Sequence, residues 1–491
     1  MRNTLLLGIL TVLFISACKT EPTVKVDPFG EYLNNIYDKG MLNGNVLVFQ
    51  NGEIVHQGSY GIGNIDPIDS LTLDSQFRMA SVSKQFTAMA IMQLNEKGKL
   101  SYDDDLKKFI PELPYKDITV RHLLHHTSGL PDYEEFMYYN WKPELKIDDP
   151  ARFISGNTDV IELMAEKKPE IDFIPGEQWD YSNTGYLFLA AIVSRVSGMP
   201  FEQYLKENIF DPTGMSSTSV YKYVVGKDPE MPNRVFGYDT KLNGEDRIYH
   251  DIHYLNPVQG DGGIYSTLGD LLKWDRALYT NTLVSEETLS EAYTPGKLNN
   301  GDETNYGFGW FIEKSVTDKK VVFHSGGWVG FGTYIYREIE DNNCFIVQTN
   351  NSTSYFGALM PIKKMLHDQP YEMPKLNVGE VVGKIILSEG IDKGLSEYNR
   401  LKFEEPDNYE ISEGQLNSLG YQLMGLDRNQ DALQILKRNQ EEYPESANTY
   451  DSYADALLAN KDTANAIINY NKAFAMDSTF TTSREKAKRL E

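Results

Sequence analysis

The sequence predicts an α+β protein: an antiparallel sheet flanked by helices with a helical subdomain, followed by an all-α C-terminal domain. Three observations predict this class. Strand-like runs flank Asn51-Gly52, strand signals return near residue 320 after a helix-rich middle, and a self-match with a 34-residue period lies beyond residue 412. Strands at both ends of a segment with helices between them are typical of the α+β architecture.

The N-terminus predicts an export signal. Arg2 precedes an apolar run that is too short to span a bilayer and fits the apolar part of a secretory signal. The run ends in ISAC at Cys18, which resembles a bacterial lipobox; the alternative is a plain signal peptide that contains a cysteine. The resemblance implies a lipoprotein signal peptide over 1–17, a lipidated Cys18 and a tether over 18–29. We therefore expect an exported, lipid-anchored protein of the bacterial cell envelope, periplasmic or outer-membrane.

Two regions supply the predicted sheet. Residues 44–60 form two strand-like runs around Asn51-Gly52, which is a strong signal for a type I′ hairpin. Residues 320–350 are again rich in β-branched and aromatic side chains. We expect the early hairpin and the late strands to form one sheet, and the intervening segment to supply covering helices and a helical subdomain.

The C-terminal part resembles tetratricopeptide repeats. Positions that recur after 34 residues are Leu419-Gly420, Leu423, Ala432 and Leu436, matched by Tyr453-Ala454, Leu457, Ala466 and Tyr470. Only two repeats are clear, and such units usually need more neighbours to bury their faces. We therefore predict a helical linker over 369–412 that packs on repeats over 413–491. Whether the repeats bind a protein or peptide partner stays open, because some such modules only brace a neighbouring domain.

Composition restricts the class of function. Hydrophobic residues make up 41% and charged residues 24% of the chain, ordinary values for a globular protein with a core. The formal net charge of −24 argues against a nucleic-acid partner, because phosphates would be repelled. Once Cys18 is modified, Cys344 is the only other cysteine, so no internal disulfide is expected.

The first candidate motif is Ser81-x-x-Lys84. The spacing occurs four times, but only here does a nearly all-apolar segment, QFTAMAIMQL, follow it and end at Lys97-Gly98. Three-residue spacing puts both side chains on one helix face. Desolvation at that place favours a neutral lysine, which could take the proton from Ser81. The alternative is a serine at a helix start beside a lysine that reaches solvent.

The second candidate motif is Tyr181-x-Asn183. It follows the turn signal Pro175-Gly176 and precedes a very apolar helix, predicted to start near Tyr186. A tyrosine near a cation can relay a proton, and an asparagine can hydrogen-bond both a lysine and a substrate amide. The alternative is a tyrosine in a surface loop.

The third candidate is His324-x-Gly326-Gly327, inside the late strand-rich stretch. Glycines on a strand edge allow a substrate backbone to approach. The backbone N–H of Gly327 could then form an oxyanion hole with that of Ser81. A lone histidine on a strand is more often structural.

Taken in order, the three motifs resemble those of serine penicillin-recognising enzymes. The chain resembles the branch that holds class C β-lactamases, D-alanyl-D-alanine carboxypeptidases, D-amino-acid peptidases and related esterases. The stretches ITVRHLLHHTSGLPDY (118–133), IFDPTGMSST (209–218) and GDGGIYSTLGDLLKW (260–274) fit the same branch, and the resemblance covers roughly residues 30–368. It implies a β-lactamase/transpeptidase-like fold and a serine hydrolase domain over those residues.

The resemblance also implies a role for each motif residue. Ser81 would attack a carbonyl and become an acyl-enzyme, while Lys84 and Tyr181 would share the acid–base duties. Asn183 would orient the lysine and the acyl side chain, and Gly326, Gly327 and His324 would bind substrate.

One departure from the family pattern bears on the substrate. His324 stands where many β-lactamases and carboxypeptidases have lysine, and a histidine is mostly neutral at neutral pH. Substrates that need a permanent cation there, β-lactams especially, are thereby less favoured than esters, amides and short D-residue peptides.

No cofactor or metal is predicted. His125-His126 lacks other ligands at metal spacing and is interpreted as a structural loop near the site. The glycine-rich stretch 260–263 lacks the Lys-Ser/Thr of a phosphate loop and is interpreted as a turn lining the cleft. Trp274, Trp310 and Trp328 are expected in the core or the cleft wall.

Two functions follow from these patterns. The first is an envelope-anchored serine hydrolase that acts on an amide or ester through an acyl-enzyme. The alternative is a catalytically silent, penicillin-binding-like scaffold whose helical repeats recruit a protein partner.

Overall fold

The computed structural model describes residues 27–222, 231–244, 246–249, 251–351 and 356–491. The predicted signal peptide, Cys18 and most of the predicted tether lie outside the described residues. Within these ranges, no helix has both the length and the apolar content that crossing a bilayer requires.

Helices and strands are numbered here in chain order. The helices are α1 (Pro28–Asp38), α2 (Lys84–Glu96), α3 (Val120–Leu124), α4 (Tyr133–Asn140), α5 (Asn157–Lys167), α6 (Asn183–Ser197), α7 (Phe201–Leu205), α8 (Asp211–Thr213), α9 (Leu268–Ala277), α10 (Glu286–Ala292), α11 (Ile362–Met365), α12 (Val378–Glu389), α13 (Ile391–Glu404), α14 (Glu413–Gly425), α15 (Asn429–Glu442), α16 (Ala447–Ala459), α17 (Thr463–Met476) and α18 (Thr481–Leu490). The strands are β1 (Gly44–Gln50), β2 (Glu53–Tyr60), β3 (Ile62–Ile65), β4 (Ile68–Ser70), β5 (Phe77–Arg78), β6 (Ser219–Val220), β7 (Tyr238–Thr240), β8 (Arg247–Tyr249), β9 (Ile264–Ser266), β10 (Phe311–Lys314), β11 (Lys320–Trp328), β12 (Phe331–Glu338), β13 (Asn343–Thr349), β14 (Leu376–Asn377) and β15 (Tyr409–Glu410).

The main sheet joins the two ends of the hydrolase-like segment, as the sequence predicted. Its strand order is β10-β11-β12-β13-β1-β2, and every pair is antiparallel. The early hairpin turns at Asn51 and Gly52, both with positive φ, which is the conformation that a type I′ turn requires. Pairing of Val46 with Val347 brings the first and last strands of this segment together.

Both faces of the sheet are buried, because helices cover each of them. Along β1, Leu47 and Phe49 face one apolar cluster, which includes α2 and α6. Val46 and Val48 face a second cluster, which includes α1 and α11. This alternation follows from the two-residue period of a strand, and it explains why β1 is apolar nearly throughout. The larger cluster carries the elements of the candidate site.

Two helices near the site differ in how well their ends could be predicted. Helix α2 ends at Glu96 and is followed by Gly98 with a φ of 65°, in agreement with the stop signal in the sequence. Helix α6 was expected near Tyr186 but begins at Asn183. The reason is Ser182, whose hydroxyl accepts a hydrogen bond from the N–H of Gly185 and caps the helix three residues earlier.

The C-terminal region is helical, from α12 to α18. The helices α12 and α13 share one apolar cluster with α14 and α15. The side chain of Leu242, from the turn between β7 and β8, packs against the same cluster. A Cβ added to Gly383 would lie 2.5 Å from Leu242 Cδ1, so a glycine is what allows α12 to approach this loop. The tetratricopeptide identity of residues 413–491 stays a prediction.

Candidate active site

Ser81 lies in a tight turn between β5 and α2. The turn spans Ala80–Ser83 in 3-10 geometry, and Ala80 has a φ of 46°, a left-handed conformation that is unfavourable for alanine. Pairing of β5 with β9 and a hydrogen bond from Ile264 N–H to Ser83 Oγ (3.2 Å) hold the turn in place. The surrounding packing therefore holds the half-buried Ser81 at the mouth of the larger core.

Lys84 is fully buried, yet its amine has three polar contacts. Its Nζ lies 3.1 Å from Ser81 Oγ, 2.8 Å from Asn183 Oδ1 and 2.9 Å from the backbone carbonyl oxygen of Asp261. The amine also lies 4.9 Å from the centroid of the Tyr181 ring. The structure thus brings together Ser81, Lys84 and Asn183. Ser81 and Lys84 are close in the sequence, whereas Asn183 is distant from both.

This set of contacts is suited to proton transfer. Asn183 Oδ1 and the Asp261 carbonyl can only accept hydrogen bonds, so each takes one N–H of the lysine. In an uncharged amine those are the only two hydrogens, and the lone pair is then directed at the remaining neighbour, Ser81 Oγ. The arrangement therefore allows the amine to take the serine proton without a rearrangement of the side chain.

Tyr181 covers the amine with its ring. The ring packs against His126 with centroids 4.3 Å apart and lies parallel to Phe311 at 6.3 Å. Among the described residues the buried phenol oxygen has no hydrogen-bond partner. A buried hydroxyl without a partner is unfavourable, and Tyr181 is not among the residues that line the cavity above Ser81, so its role as a proton relay stays a prediction.

A carboxylate that the sequence motifs did not identify extends the network. Glu134 Oε1 accepts a hydrogen bond of 3.0 Å from Asn183 Nδ2. Burial, and then the negative charges of Asp261 and Asp132, raise the pKa of Glu134 to about 7. Hydrogen bonds thus connect Glu134 to Ser81 through Asn183 and Lys84.

His324 is buried behind Tyr181 and does not line the cavity above Ser81. Its side chain is 1% exposed, its Nε2 lies 2.9 Å from Tyr306 Oη, and its Nδ1 lies 2.6 Å from the carbonyl oxygen of Ser325. Desolvation, followed by the charge of Lys84, lowers the pKa of His324 to about 3, so the ring is neutral at physiological pH. The structure therefore gives this histidine a packing position, whereas the sequence suggested a direct contact with substrate.

The two glycines after His324 have different surroundings. A Cβ on Gly326 would lie 2.4 Å from the carbonyl oxygen of Met79 and 2.9 Å from the backbone nitrogen of Ser81, so glycine is required for β11 to pass close to the Ser81 turn. Gly327 is exposed and has open space around its Cα. Because β10 pairs with β11 only as far as Phe323, this part of the β11 edge is open towards the turn.

A cavity of about 170 Å³ lies directly above these groups. Its lining combines charged, polar and apolar side chains with two glycines: Arg78, Ala80, Ser81, Tyr133, Glu134, Asn183, Leu255, Val258, Asp261, Gly262, Gly327 and Trp328. The glycine-rich stretch at 260–263 lines the cleft, as interpreted from the sequence, and Tyr133 Oη donates a hydrogen bond of 2.8 Å to Asp261 Oδ2. Trp328 is in the cleft wall, whereas Trp274 and Trp310 are in the core.

The other copies of the motifs lie elsewhere. Lys222 pairs with Glu202 at 2.7 Å, and Ser483 donates a hydrogen bond to Asp451, so neither copy of Ser-x-x-Lys forms a serine–lysine contact. The Tyr-x-Asn spacing also occurs at Tyr254 and Asn256. Asn256 lies at the cleft wall, where its Oδ1 accepts a hydrogen bond of 2.7 Å from Trp328 Nε1.

The adjacent histidines form a structural loop under the site. His125 Nδ1 lies 3.0 Å from the carbonyl oxygen of Tyr306, and His126 Nδ1 accepts a hydrogen bond of 3.0 Å from Ser182 N–H. Burial lowers the pKa of His125 to about 4 and that of His126 well below 6.5. Both rings are therefore neutral supports for the segment that carries Tyr181.

Sequence reasoning missed Glu134, the Asp261 carbonyl and Arg78 as parts of this site. Glu134 directly follows the stretch 118–133, and Arg78 directly precedes the Ser81 turn, so proximity to a motif was the only available signal. The carbonyl contact of Asp261 depends on where the loop folds, and no residue type encodes it.

Comparisons with known proteins agree with this geometry. A family model described as Beta-lactamase matches residues 25–363. Penicillin-binding protein 4* of Bacillus subtilis (strain 168) is 35% identical over 348 residues, which are 69% of this chain and 75% of that protein. The D-aminopeptidase of Gluconobacter oxydans (strain 621H) is 24% identical over 331 residues, which are 67% of this chain and 59% of that protein.

Solved structures give the same fold. A penicillin-binding protein from Bacillus halodurans superposes with a TM-score of 0.58 at 27% identity, covering 68% of this chain and 98% of that chain. A D-amino acid amidase from Ochrobactrum anthropi SV3, complexed with L-phenylalanine amide, superposes with a TM-score of 0.55 at 22% identity, covering 69% and 96%. At that identity the amidase supports the fold alone.

Proposed function

Because this chain belongs to the beta-lactamase family and is a serine hydrolase of that class, we propose that it cleaves an amide or ester bond through an acyl-enzyme on Ser81. We propose a D-residue peptide, amide or ester as substrate in preference to a β-lactam. The observation that carries the proposal is the buried Lys84 amine, 3.1 Å from Ser81 Oγ and held by two hydrogen-bond acceptors.

The reaction proceeds in two balanced steps. Lys84 takes the proton of Ser81 as Oγ attacks the carbonyl carbon, and the backbone N–H groups of Ser81 and Gly327 stabilise the oxyanion. Lys84 and Tyr181 return the proton to the leaving amine or alcohol, which departs as the acyl-enzyme forms. Water, deprotonated by the same two residues, then releases the acid and regenerates the Ser81 hydroxyl.

Two features of the site support the substrate class. First, neutral His324 offers no cation on the β11 edge, where many β-lactamases and carboxypeptidases have lysine. Second, Glu134 lies beside Asn183 and lines the cavity, so a substrate with a free α-ammonium group would meet a carboxylate there. The 24% identity to a D-aminopeptidase agrees with recognition of a free amino end.

Active-site labelling tests the nucleophile. A biotinylated fluorophosphonate and a fluorescent penicillin are added to the purified protein, and we expect at least the fluorophosphonate to modify Ser81, with Ser81→Ala unlabelled. Turnover is then compared on D-alanine p-nitroanilide, p-nitrophenyl esters and nitrocefin, with nitrocefin expected to be the poorest. Absence of labelling and of turnover would leave the silent scaffold, whose C-terminal helices recruit a protein, as the better description.

The location in the cell belongs to the same proposal. We propose export, removal of residues 1–17 and lipid attachment at Cys18, on the strength of the apolar run and the lipobox-like end. Metabolic labelling with an alkyne-bearing fatty acid in a bacterial host should mark the wild type and not Cys18→Ser. Labelling of both forms would contradict the anchor and leave catalysis unaffected.

A further inference from the structure

Arg78 is a buried cation in the wall of the catalytic cavity. It lies at the end of β5, three residues before Ser81, and is only 3% exposed. It lines the same cavity as Ser81, Gly327 and Trp328. Neither the motifs nor the proton-transfer chain through Lys84 gives it a role.

Its hydrogen bonding is incomplete. Nη2 donates one long hydrogen bond of 3.3 Å to the carbonyl oxygen of Asn256. The other two nitrogens, Nε and Nη1, are buried and have no partner among the described residues. The guanidinium is otherwise surrounded by aromatic rings, with its carbon 5.6 Å from the centroids of Tyr221 and Trp328 and 6.0 Å from that of Tyr265.

Of the three other buried arginines in the described residues, two have a carboxylate partner, whereas Arg152 has the carbonyl oxygens of Leu145 and Tyr138 and, like Arg78, an Nε without a partner. Arg234 pairs with Asp251 at 3.0 Å, and Arg337 pairs with Asp275. For Arg78, the described part of the chain provides aromatic faces and one carbonyl oxygen in place of an ion pair. A buried charge without a counter-ion is costly, and cation–π contacts repay only part of that cost. Unlike Arg152, Arg78 lines the cavity above Ser81, so an anion that enters the cavity would supply the counter-ion that this guanidinium lacks.

We propose that Arg78 is the binding site for the free carboxylate of the substrate's leaving group. A guanidinium has planar paired donors that match a carboxylate, and the unused donors of Arg78 belong to a side chain that lines the cavity. This inference rests on the proposed function, because it assigns a subsite to the peptide that Ser81 cleaves.

The charges in the cavity then suit a small zwitterionic peptide. Glu134 and Asn183 line one part of the wall, and Arg78 lines the cavity with Trp328 and Gly327 of the β11 edge. A D-dipeptide with a free ammonium group and a free carboxylate offers the opposite charge to each. Arg78 thus supplies the cation that His324 does not, and it supplies it from β5, beside Trp328 of β11.

The wild-type enzyme gives the first test. The value of kcat/KM is measured for D-alanyl-D-alanine and for D-alanyl-D-alaninamide, which differ only in the charge of the C-terminal group. We expect the free carboxylate to be preferred by about tenfold or more, which is the scale of one charge-assisted contact. Equal values, or a preference for the amide, would overturn the proposal without any variant.

Variants test whether Arg78 is the source of the preference for a free C-terminal carboxylate. In Arg78→Gln we expect the carboxylate-to-amide ratio of kcat/KM to fall to about one, mainly through KM, with Arg78→Lys retaining an intermediate ratio. Arg234→Gln is the matched control, since it removes another buried arginine near the same tyrosines and should lower stability while keeping the wild-type ratio. An unchanged ratio in Arg78→Gln, or an equal loss for both peptides, would assign Arg78 a purely structural role.

Labelling of Ser81 shows whether a negative result concerns the Arg78 subsite alone or the proposed hydrolase function as a whole. If the fluorophosphonate labels the wild type and the dipeptide amide is cleaved, but the ratio is one, only the Arg78 subsite is wrong. If neither labelling nor turnover occurs, the proposed hydrolase function fails and the subsite fails with it.

Discussion

At the scale of single residues, the proposed proton transfer depends on the amine of Lys84. Replacement of Lys84 by alanine should lower the rate of Ser81 acylation by roughly 10²–10⁴-fold, because a general base is lost and Asn183 keeps its other partner, Glu134. The measurement is the second-order rate of fluorophosphonate labelling. Tyr181→Phe should also slow acylation, since only the unpartnered phenol hydroxyl is removed.

Another copy of the Ser-x-x-Lys spacing, Ser219 to Lys222, provides a matched control for Lys84. Lys222→Ala removes a surface lysine that pairs with Glu202, and its labelling rate should equal that of the wild type. Labelling of Lys84→Ala at a near-normal rate would remove the lysine from the mechanism.

The carboxyl group of Glu134 should give the enzyme a substrate-dependent pH profile. Its pKa is raised to about 7, so it is ionised and able to hold an ammonium group only above that pH. The α-amino group of the substrate loses its charge near pH 8. We expect kcat/KM for D-alanine p-nitroanilide to peak between these values, with an acidic limb that its N-acetyl derivative lacks. Glu134→Gln should remove the difference between the two profiles.

Identical profiles for the free and acetylated substrates in the wild type would contradict this role of Glu134. A general effect on Lys84 through Asn183 would instead change both substrates equally, so the comparison distinguishes substrate binding from positioning.

The same residues show what local sequence can and cannot predict. The contact of Ser81 with Lys84 follows from three-residue spacing, and the choice of Asn183 followed from its turn and apolar helix. The position of His324 did not follow, because its burial depends on Tyr306 and Tyr181, which reach it only after the chain has folded. Glu134 and Arg78 were missed for the same reason: their partners, or lack of partners, are set by distant segments.

At the scale of secondary structure, the distance between β11 and the Ser81 turn is set by Gly326. Gly326→Ala would place a methyl group 2.4 Å from the Met79 carbonyl oxygen and 2.9 Å from Ser81 N, so the strand and the turn must separate. We expect a loss of kcat of at least about tenfold, because the two N–H groups that we propose for the oxyanion hole, those of Ser81 and Gly327, lie on these two elements. The loss of stability should be about 1–3 kcal/mol, typical of overpacking.

Gly269 offers a control for this substitution. It lies in α9, and a Cβ there meets nothing within 4 Å. Gly269→Ala should keep full activity and leave stability equal or slightly higher, since alanine favours helix. If Gly326→Ala had the activity and the melting temperature of the wild type, the close approach of β11 would not matter for catalysis.

Helices and strands could be predicted where the sequence contains a helix stop signal or a turn signal. The hairpin at Asn51-Gly52, the end of α2 at Gly98 and the pairing of early with late strands all have such signals. The start of α6 was predicted too late because the apolar pattern begins at Tyr186, while the cap that fixes the first turn is Ser182. Patterning thus predicted that an apolar helix follows Tyr181-x-Asn183, and capping chemistry decided where the helix begins.

At the scale of the whole molecule, the catalytic and helical parts touch through a small surface. Leu242 packs against α12, and the Ser81 site draws its residues from positions 78–328. We therefore expect a protein that ends at residue 368 to retain fluorophosphonate labelling, with a lower melting temperature because Leu242 becomes exposed. The full chain is the comparison. Complete loss of labelling in a folded truncated protein would show that the helical region contributes to the site, contrary to the proposed division at 30–368.

Acid should destabilise the folded chain through its buried histidines. His125, His126 and His324 are neutral in the fold, with pKa values held below the usual 6.5 mainly by burial. The unfolded chain takes up protons on them below pH 6.5 and the folded chain does not, so stability is complete above that pH and falls as pH decreases. At pH 5.5 each costs about 1.4 kcal/mol.

Glu134 acts in the opposite direction. The folded chain binds its proton more tightly between pH 4.5 and 7, so acidification over that range is stabilising and offsets roughly one histidine. From these four groups the net loss between pH 7.5 and 5.5 is about 2–3 kcal/mol, and thermal melts at constant ionic strength should show it. Carboxylates whose pKa is lowered, such as Glu112, respond mainly below this window. His125→Gln should reduce the difference in melting temperature between the two pH values. An equal difference in wild type and variant would mean that the buried imidazoles do not govern acid stability.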